Sequence, residues 1–95
     1  MLERLAKIEQ QYIELEEEMA SEEAISNPKK LQELAQERAQ LEELVALYRQ
    51  YKKTVKTLDD TRAMLDDNLD EDMLAMVKQE IENLEVKVEE QYQEL

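Results

Sequence analysis

Ser21 and Ser26 are hydroxyls outside the strongly periodic parts of this sequence, and a nucleophilic role for either would need a base beside it. No candidate base lies near them, so their ordinary use is to cap or turn the chain. The chain contains no histidine, cysteine or glycine. Histidine-based triads, thiolate zinc sites and glycine loops that cradle phosphate are therefore ruled out by composition. Carboxylates are abundant, at 25 aspartates and glutamates. Paired acid and base work needs environments that split two acidities, and solvated helix faces do not provide them. The run Asp66, Asp67, Asn68, Asp70, Glu71, Asp72 invites comparison with a calcium loop. An EF-hand starting at Asp66 would need glycine where Glu71 stands and glutamate where Val77 stands, so the match fails. A solvated acidic turn that caps a helix accounts for the run. The expectation is a protein with no catalytic residue, no cofactor, no bound metal and no small-molecule substrate.

One cluster suggests binding. Arg49, Lys52, Lys53 and Lys56 fall together on a helical wheel, in a chain of 12 basic residues and net charge −13. They form a candidate partner surface for RNA or an acidic protein. The plainer reading is a solvated face whose stems lie over the neighbouring apolar seam. Tyr48 and Tyr51 read as core aromatics with their hydroxyls at the rim rather than as stacking platforms for bases. The overall acidity opposes non-specific attachment to nucleic acid, and it also simply keeps a helical chain soluble.

The elements that carry these residues are set by periodicity. Leu2, Leu5, Ile8, Tyr12, Leu15 and Met19 space as 3-3-4-3-4, which predicts a helix over about 2–20. Acidic residues in its last turn oppose the helix dipole and predict fraying there. Residues 21–27 read as a connection. Asn27 before Pro28 is a start signal: the proline forces Asn27 out of helical geometry, and its side chain can cap the free N–H groups. A long helix over 28–66 follows, striped by Leu31, Leu34, Leu41, Leu44, Val45, Tyr48, Tyr51, Val55, Leu58 and Leu65, with Arg38 as a member that buries its stem. Two steps of three in succession, from Val45 through Tyr48 to Tyr51, rotate the stripe and suggest a change of partner near residues 41–51. Residues 66–70 break the pattern, Asp70 is a candidate N-cap, and Leu69 with Leu74 can staple the entry of the next helix. Leu74, Val77, Ile81, Leu84, Val88, Tyr92 and Leu95 stripe that third helix over 70–95.

Short connections make neighbouring helices antiparallel. The fold class expected is all-α, an antiparallel three-helix bundle or hairpin arrangement around one long central helix, forming a single helical domain over 1–95. The first helix should lie beside residues 28–46. The third should lie beside 41–66, with Ile81 near Val55, Val88 near Tyr48 and Tyr92 near Leu44. A stripe still in phase at Leu95 suggests a piece of a longer chain. No apolar run reaches the roughly 18 residues of a membrane span, so no membrane partner is expected.

Several segments carry a resemblance: Met1-Leu2-Glu3-Arg4-Leu5, the junction Ile25-Ser26-Asn27-Pro28, Leu31-Gln32-Glu33-Leu34, Tyr48-Arg49-Gln50-Tyr51-Lys52 and Met64-Leu65-Asp66-Asp67. In that order and spacing the chain resembles the amino-terminal helical domain of bacterial class I peptide chain release factors. Factors of that family reading UGA typically carry tryptophan three residues before the junction proline, where this chain has Ile25, so it looks more like the factor reading UAA and UAG. The resemblance implies a cytoplasmic parent that enters the ribosome at a stop codon. It also implies a docking domain directed at the base of the large-subunit stalk and linked to the recycling GTPase. The family's catalytic Gly-Gly-Gln loop has no counterpart here, so no catalytic or codon-reading residue carries over. The alternative is a generic acidic coiled coil or helical-bundle scaffold that dimerises through the same stripes. In isolation the chain is expected to be a monomer or a helix-swapped dimer.

Overall fold

The computed structural model describes residues 1–95. The protein is all-α: α1 (Leu2–Met19), α2 (Glu22–Ile25), α3 (Pro28–Ala63), a 3₁₀ turn (Met64–Asp66) and α4 (Glu71–Glu94). α3 runs without interruption through 36 residues, as expected of a segment with no glycine and its only proline at the first position, where a missing N–H costs nothing. The chain divides into two compact units, Met1–Ala46 and Leu47–Leu95. The dividing point lies inside α3, within the stretch where the stripe was expected to change partner.

In the first unit Leu15, Ala24 and Leu34 form a buried cluster, with Met19, Leu31 and Leu41 packed against it. Leu5, Tyr12 and Val45 are also buried. α1 thus lies against the 28–46 part of α3, as expected. The segment 21–27 is a correction, because it is not a plain connection. Ser21 caps a single helical turn by accepting a hydrogen bond from the Ala24 N–H, and its hydroxyl donates to the Glu18 carbonyl at 2.6 Å. That turn lowers Ala24, 0% exposed, into the cluster and leaves Ile25 63% exposed. A four-residue helix is too short to show a period, and tertiary packing decides it. Despite its acidic last turn, α1 is helical through Met19, and the Ala20 N–H is shared between the Glu16 and Glu17 carbonyls. Asn27 caps α3 as read, its side-chain oxygen accepting from the Lys30 N–H at 3.3 Å.

In the second unit Tyr48, Thr54, Leu58, Val77 and Leu84 are buried. Asp70 caps α4 by accepting from the Met73 N–H at 2.8 Å, with Glu71 and Asp72 in the first turn. The pairing of α4 with α3 differs from the expectation. The Tyr92 ring meets Tyr51, with centroids 5.9 Å apart, and Glu85 accepts from Arg62 at 2.8 Å. Tyr92 therefore stands seven residues, or about two turns, further along α3 than position 44. The reason lies in the link. α3 tightens into the 3₁₀ turn at Met64, and Asp67 and Asp70 are extended. An extended residue advances about 3.3 Å against 1.5 Å in a helix, so α4 starts further out and retraces more chain before meeting the same level. The same tightening leaves Leu65, an expected stripe member, 40% exposed. No residue of the chain has a positive φ and no peptide bond is cis.

Candidate partner surface

The basic cluster is carried by the first turns of α3 in the second unit, and all four side chains are exposed. Two of them have neighbours within the chain. The Lys52 ammonium lies 4.7 Å from the centre of the Tyr48 ring, so it covers the face of a buried aromatic. Lys56 pairs with Asp60 one turn on, at 3.0 Å, the arrangement that offsets a local acid. Lys53 turns to a groove, and Arg49 is exposed beside them. All four lie on one stretch of α3, and Lys52 and Lys56 reach different neighbours along it.

The groove lies between α3 and α4, has a volume of about 410 Å³, and is lined by Gln50, Lys53, Thr54, Thr57, Leu84, Lys87 and Gln91. Thr54, 7% exposed, is buried beneath it, and its hydroxyl donates to the Gln50 carbonyl at 3.1 Å. Thr57 donates likewise to the Lys53 carbonyl at 3.0 Å, and Thr61 to Thr57 at 2.7 Å. Threonines that bond to their own helix are satisfied without cross-helix partners, which is how a polar row runs beside an apolar stripe. Gln91 is not satisfied: its side-chain oxygen is buried and accepts no hydrogen bond. Sequence reading missed Lys87, Gln91 and the threonine row. The signal available was a 3-4 spacing of Leu84, Lys87 and Gln91 on α4, but its meeting with Gln50, Lys53 and Thr57 depends on the shifted pairing.

The remaining charges bind the helices together. In the first unit Arg38 donates to Glu16 at 3.3 Å while its guanidinium stands over the Tyr12 ring. Lys30 donates to Glu23 at 2.8 Å, tying α2 to the first turn of α3. That hydrogen bond, reinforced by the charge of Lys30, holds the Glu23 carboxyl below its ordinary value. The same hydrogen bond raises the Lys30 ammonium above its own, against the lowering effect of desolvation. No group of three or more acidic side chains converges as metal ligands would. The acidic turn at 66–72 spends Asp70 on its cap. No helix is long and apolar enough to cross a membrane.

The sequence matches a known family over most of its length. A family profile described as the PCRF domain matches residues 8–95, and the chain belongs to that family. Among its relatives, peptide chain release factor 1 of Dehalococcoides mccartyi is 43% identical over 95 residues, covering 100% of this chain and 27% of that protein. Peptide chain release factor 1 of Bacillus subtilis is 42% identical over 89 residues, 94% of this chain and 25% of that protein. The corresponding factor of Shouchella clausii is 47% identical over 76 residues, 80% of this chain and 21% of the relative. The chain thus spans about a quarter of the length of the curated relatives it matches. No solved structure matches it.

Proposed function

We propose that this chain is a non-catalytic helical module of a peptide chain release factor, serving to dock a protein that terminates translation at stop codons. The observation that carries the reading is the 43% identity to peptide chain release factor 1 along all 95 residues, with no gap in coverage. The absence of histidine, cysteine and glycine supports a binding role over a chemical one. On this reading the parent acts in the cytoplasm on the ribosome, at UAA and UAG codons. The helical module faces the base of the large-subunit stalk and the recycling GTPase. Its acidity suits basic ribosomal protein better than RNA. Within it Arg49, Lys52, Lys53 and Lys56 are the proposed partner surface for the remaining acidic contacts.

The test is co-sedimentation of the chain with ribosomes stalled at a stop codon, alongside a peptide-release assay. The chain is expected to pellet with ribosomes and release no peptide on its own. The triple change Arg49→Glu, Lys53→Glu, Lys56→Glu should weaken pelleting while far-UV circular dichroism stays helical. Peptide release by the chain alone would overturn the non-catalytic reading, and pelleting indifferent to the triple change would return the cluster to a solvated face. A tight, elongated dimer that ignores ribosomes would favour the scaffold alternative.

A further inference from the structure

We infer that the groove between α3 and α4 receives a carboxylate side chain from an acidic peptide segment of a protein partner. Lys53 and Lys87 flank it, and neither ammonium is paired with a carboxylate, although the chain carries 25 acidic residues. Two unpaired cations facing one cavity of about 410 Å³ make a local positive site on a chain of net charge −13. Such a site draws a single anionic side chain, while the net charge of the whole chain disfavours a polyanion.

The groove's neutral groups narrow the choice. Buried Leu84 and Thr54 form an apolar and self-satisfied lining, since the Thr54 hydroxyl is already committed to the Gln50 carbonyl. This lining suits the methylene stem of a glutamate or aspartate. Gln91 lines the same groove with an amide oxygen that is buried and has no donor. A buried acceptor left so gains a hydrogen bond once a donor arrives. A peptide backbone N–H supplies that donor, and the phosphodiester of a nucleic-acid strand does not. Nucleic acid fits poorly for a further reason. On α4 the stretch around Lys87 carries Glu89, Glu90 and Glu94, which oppose a strand presenting successive phosphates there. Affinity for a polyanion grows with the number of phosphates neutralised, and two cations neutralise few.

This site shares Lys53 with the proposed ribosomal surface, but its test uses the chain without ribosomes and also reads Lys87 and Gln91, so failure here leaves that reading standing. The measurement is a two-dimensional ¹H–¹⁵N NMR titration with a short blocked peptide containing paired glutamates, and in parallel with octauridylate. The peptide is expected to give saturable shifts at Lys53, Lys87 and the Gln91 side-chain amide. The double change Lys53→Glu, Lys87→Glu should weaken it by about tenfold or more, a change of roughly 1.4 kcal/mol. The same change of charge placed at Lys29 and Lys78 should leave affinity within about twofold, since exposed charges beyond a Debye length are screened. Gln91→Met keeps the side-chain length and removes the amide, so it should weaken the peptide while leaving the helices intact. Equal weakening by both double changes, no saturable shift with the peptide, or tighter binding of octauridylate at the same residues would each overturn the proposal. Unchanged binding by the Gln91→Met variant would remove the amide from it.

Discussion

The Arg38 guanidinium carbon stands 4.9 Å from the centre of the Tyr12 ring and one of its nitrogens donates to Glu16 at 3.3 Å. A cation thus sits where the apolar stripe of α3 should carry a leucine, and it serves as part of the seam. Its stem lies along the packed surface while its head bonds a ring face and a carboxylate of α1. Arg38→Ala should cost about 1–2 kcal/mol in urea unfolding, from lost packing and the lost ring contact together. Arg38→Met keeps the stem and should cost clearly less. Equal losses from the two would place the whole effect on the charge.

Ala24 tests the turn that sequence reading missed. It is 0% exposed against Leu15 and Leu34, so a larger side chain has no room. Ala24→Leu should destabilise by about 1–3 kcal/mol through overpacking. Ile25→Ser, at the neighbouring exposed position, should stay within about 0.5 kcal/mol. Thermal unfolding of the two variants side by side separates burial from mere proximity.

The Glu23–Lys30 pair gives the pH dependence a sign at each end. Glu23 titrates below its ordinary value of 4.5 because it accepts from Lys30, so its contribution is full above that value and is lost as pH falls through the lowered one. Lys30 titrates above its ordinary value of 10.5, so its contribution is full below that value and is lost as pH rises through the raised one. Side-chain carboxyl NMR should show Glu23 moving back toward the ordinary glutamate value in Lys30→Ala. A Glu23 midpoint that ignores the change would mean the pair does not persist in solution. Both groups are exposed, so global stability should barely register the change.

Cap removal should be local. Asp70→Ala takes away the acceptor for the Met73 N–H and should cost about 1 kcal/mol, while Asp70→Asn, which keeps an acceptor oxygen, should cost a few tenths. Hydrogen exchange at Met73 and Leu74 should accelerate in the alanine variant before exchange at Leu84 does. Uniform acceleration along α4 would show that the first turn and the rest of the helix open together.

The long helices, both strong caps and the placing of Arg38 were legible because each depends on residues within a turn or two of one another. The short helix at 22–25 was not, since four residues carry no period and Ala24 is held down by Leu15 and Leu34 from elsewhere in the chain. Tyr92 was legible as a core aromatic, but its partner was not. That partner depends on how far Asp67 and Asp70 advance the chain, and acidic residues at a turn do not declare extended geometry. The groove inherits the same difficulty. Lys53 was visible as a cation, yet Thr54 drew no notice, and Lys87 and Gln91 become their neighbours only after α4 is placed. Likewise the four basic residues were found, but the rings and acids that Lys52 and Lys56 reach lie along the helix rather than around the wheel.

The chain turns twice, once in each unit, without a single left-handed residue. No backbone position therefore demands glycine, although proline stays barred from the helix interiors. Divergence in the two corners is limited by what the caps and the buried alanine require, and by nothing in the stereochemistry of the path. Relatives should accordingly drift at positions such as Glu22 and Asn68, and a loop-grafting or tagging experiment can use those corners without re-engineering the backbone.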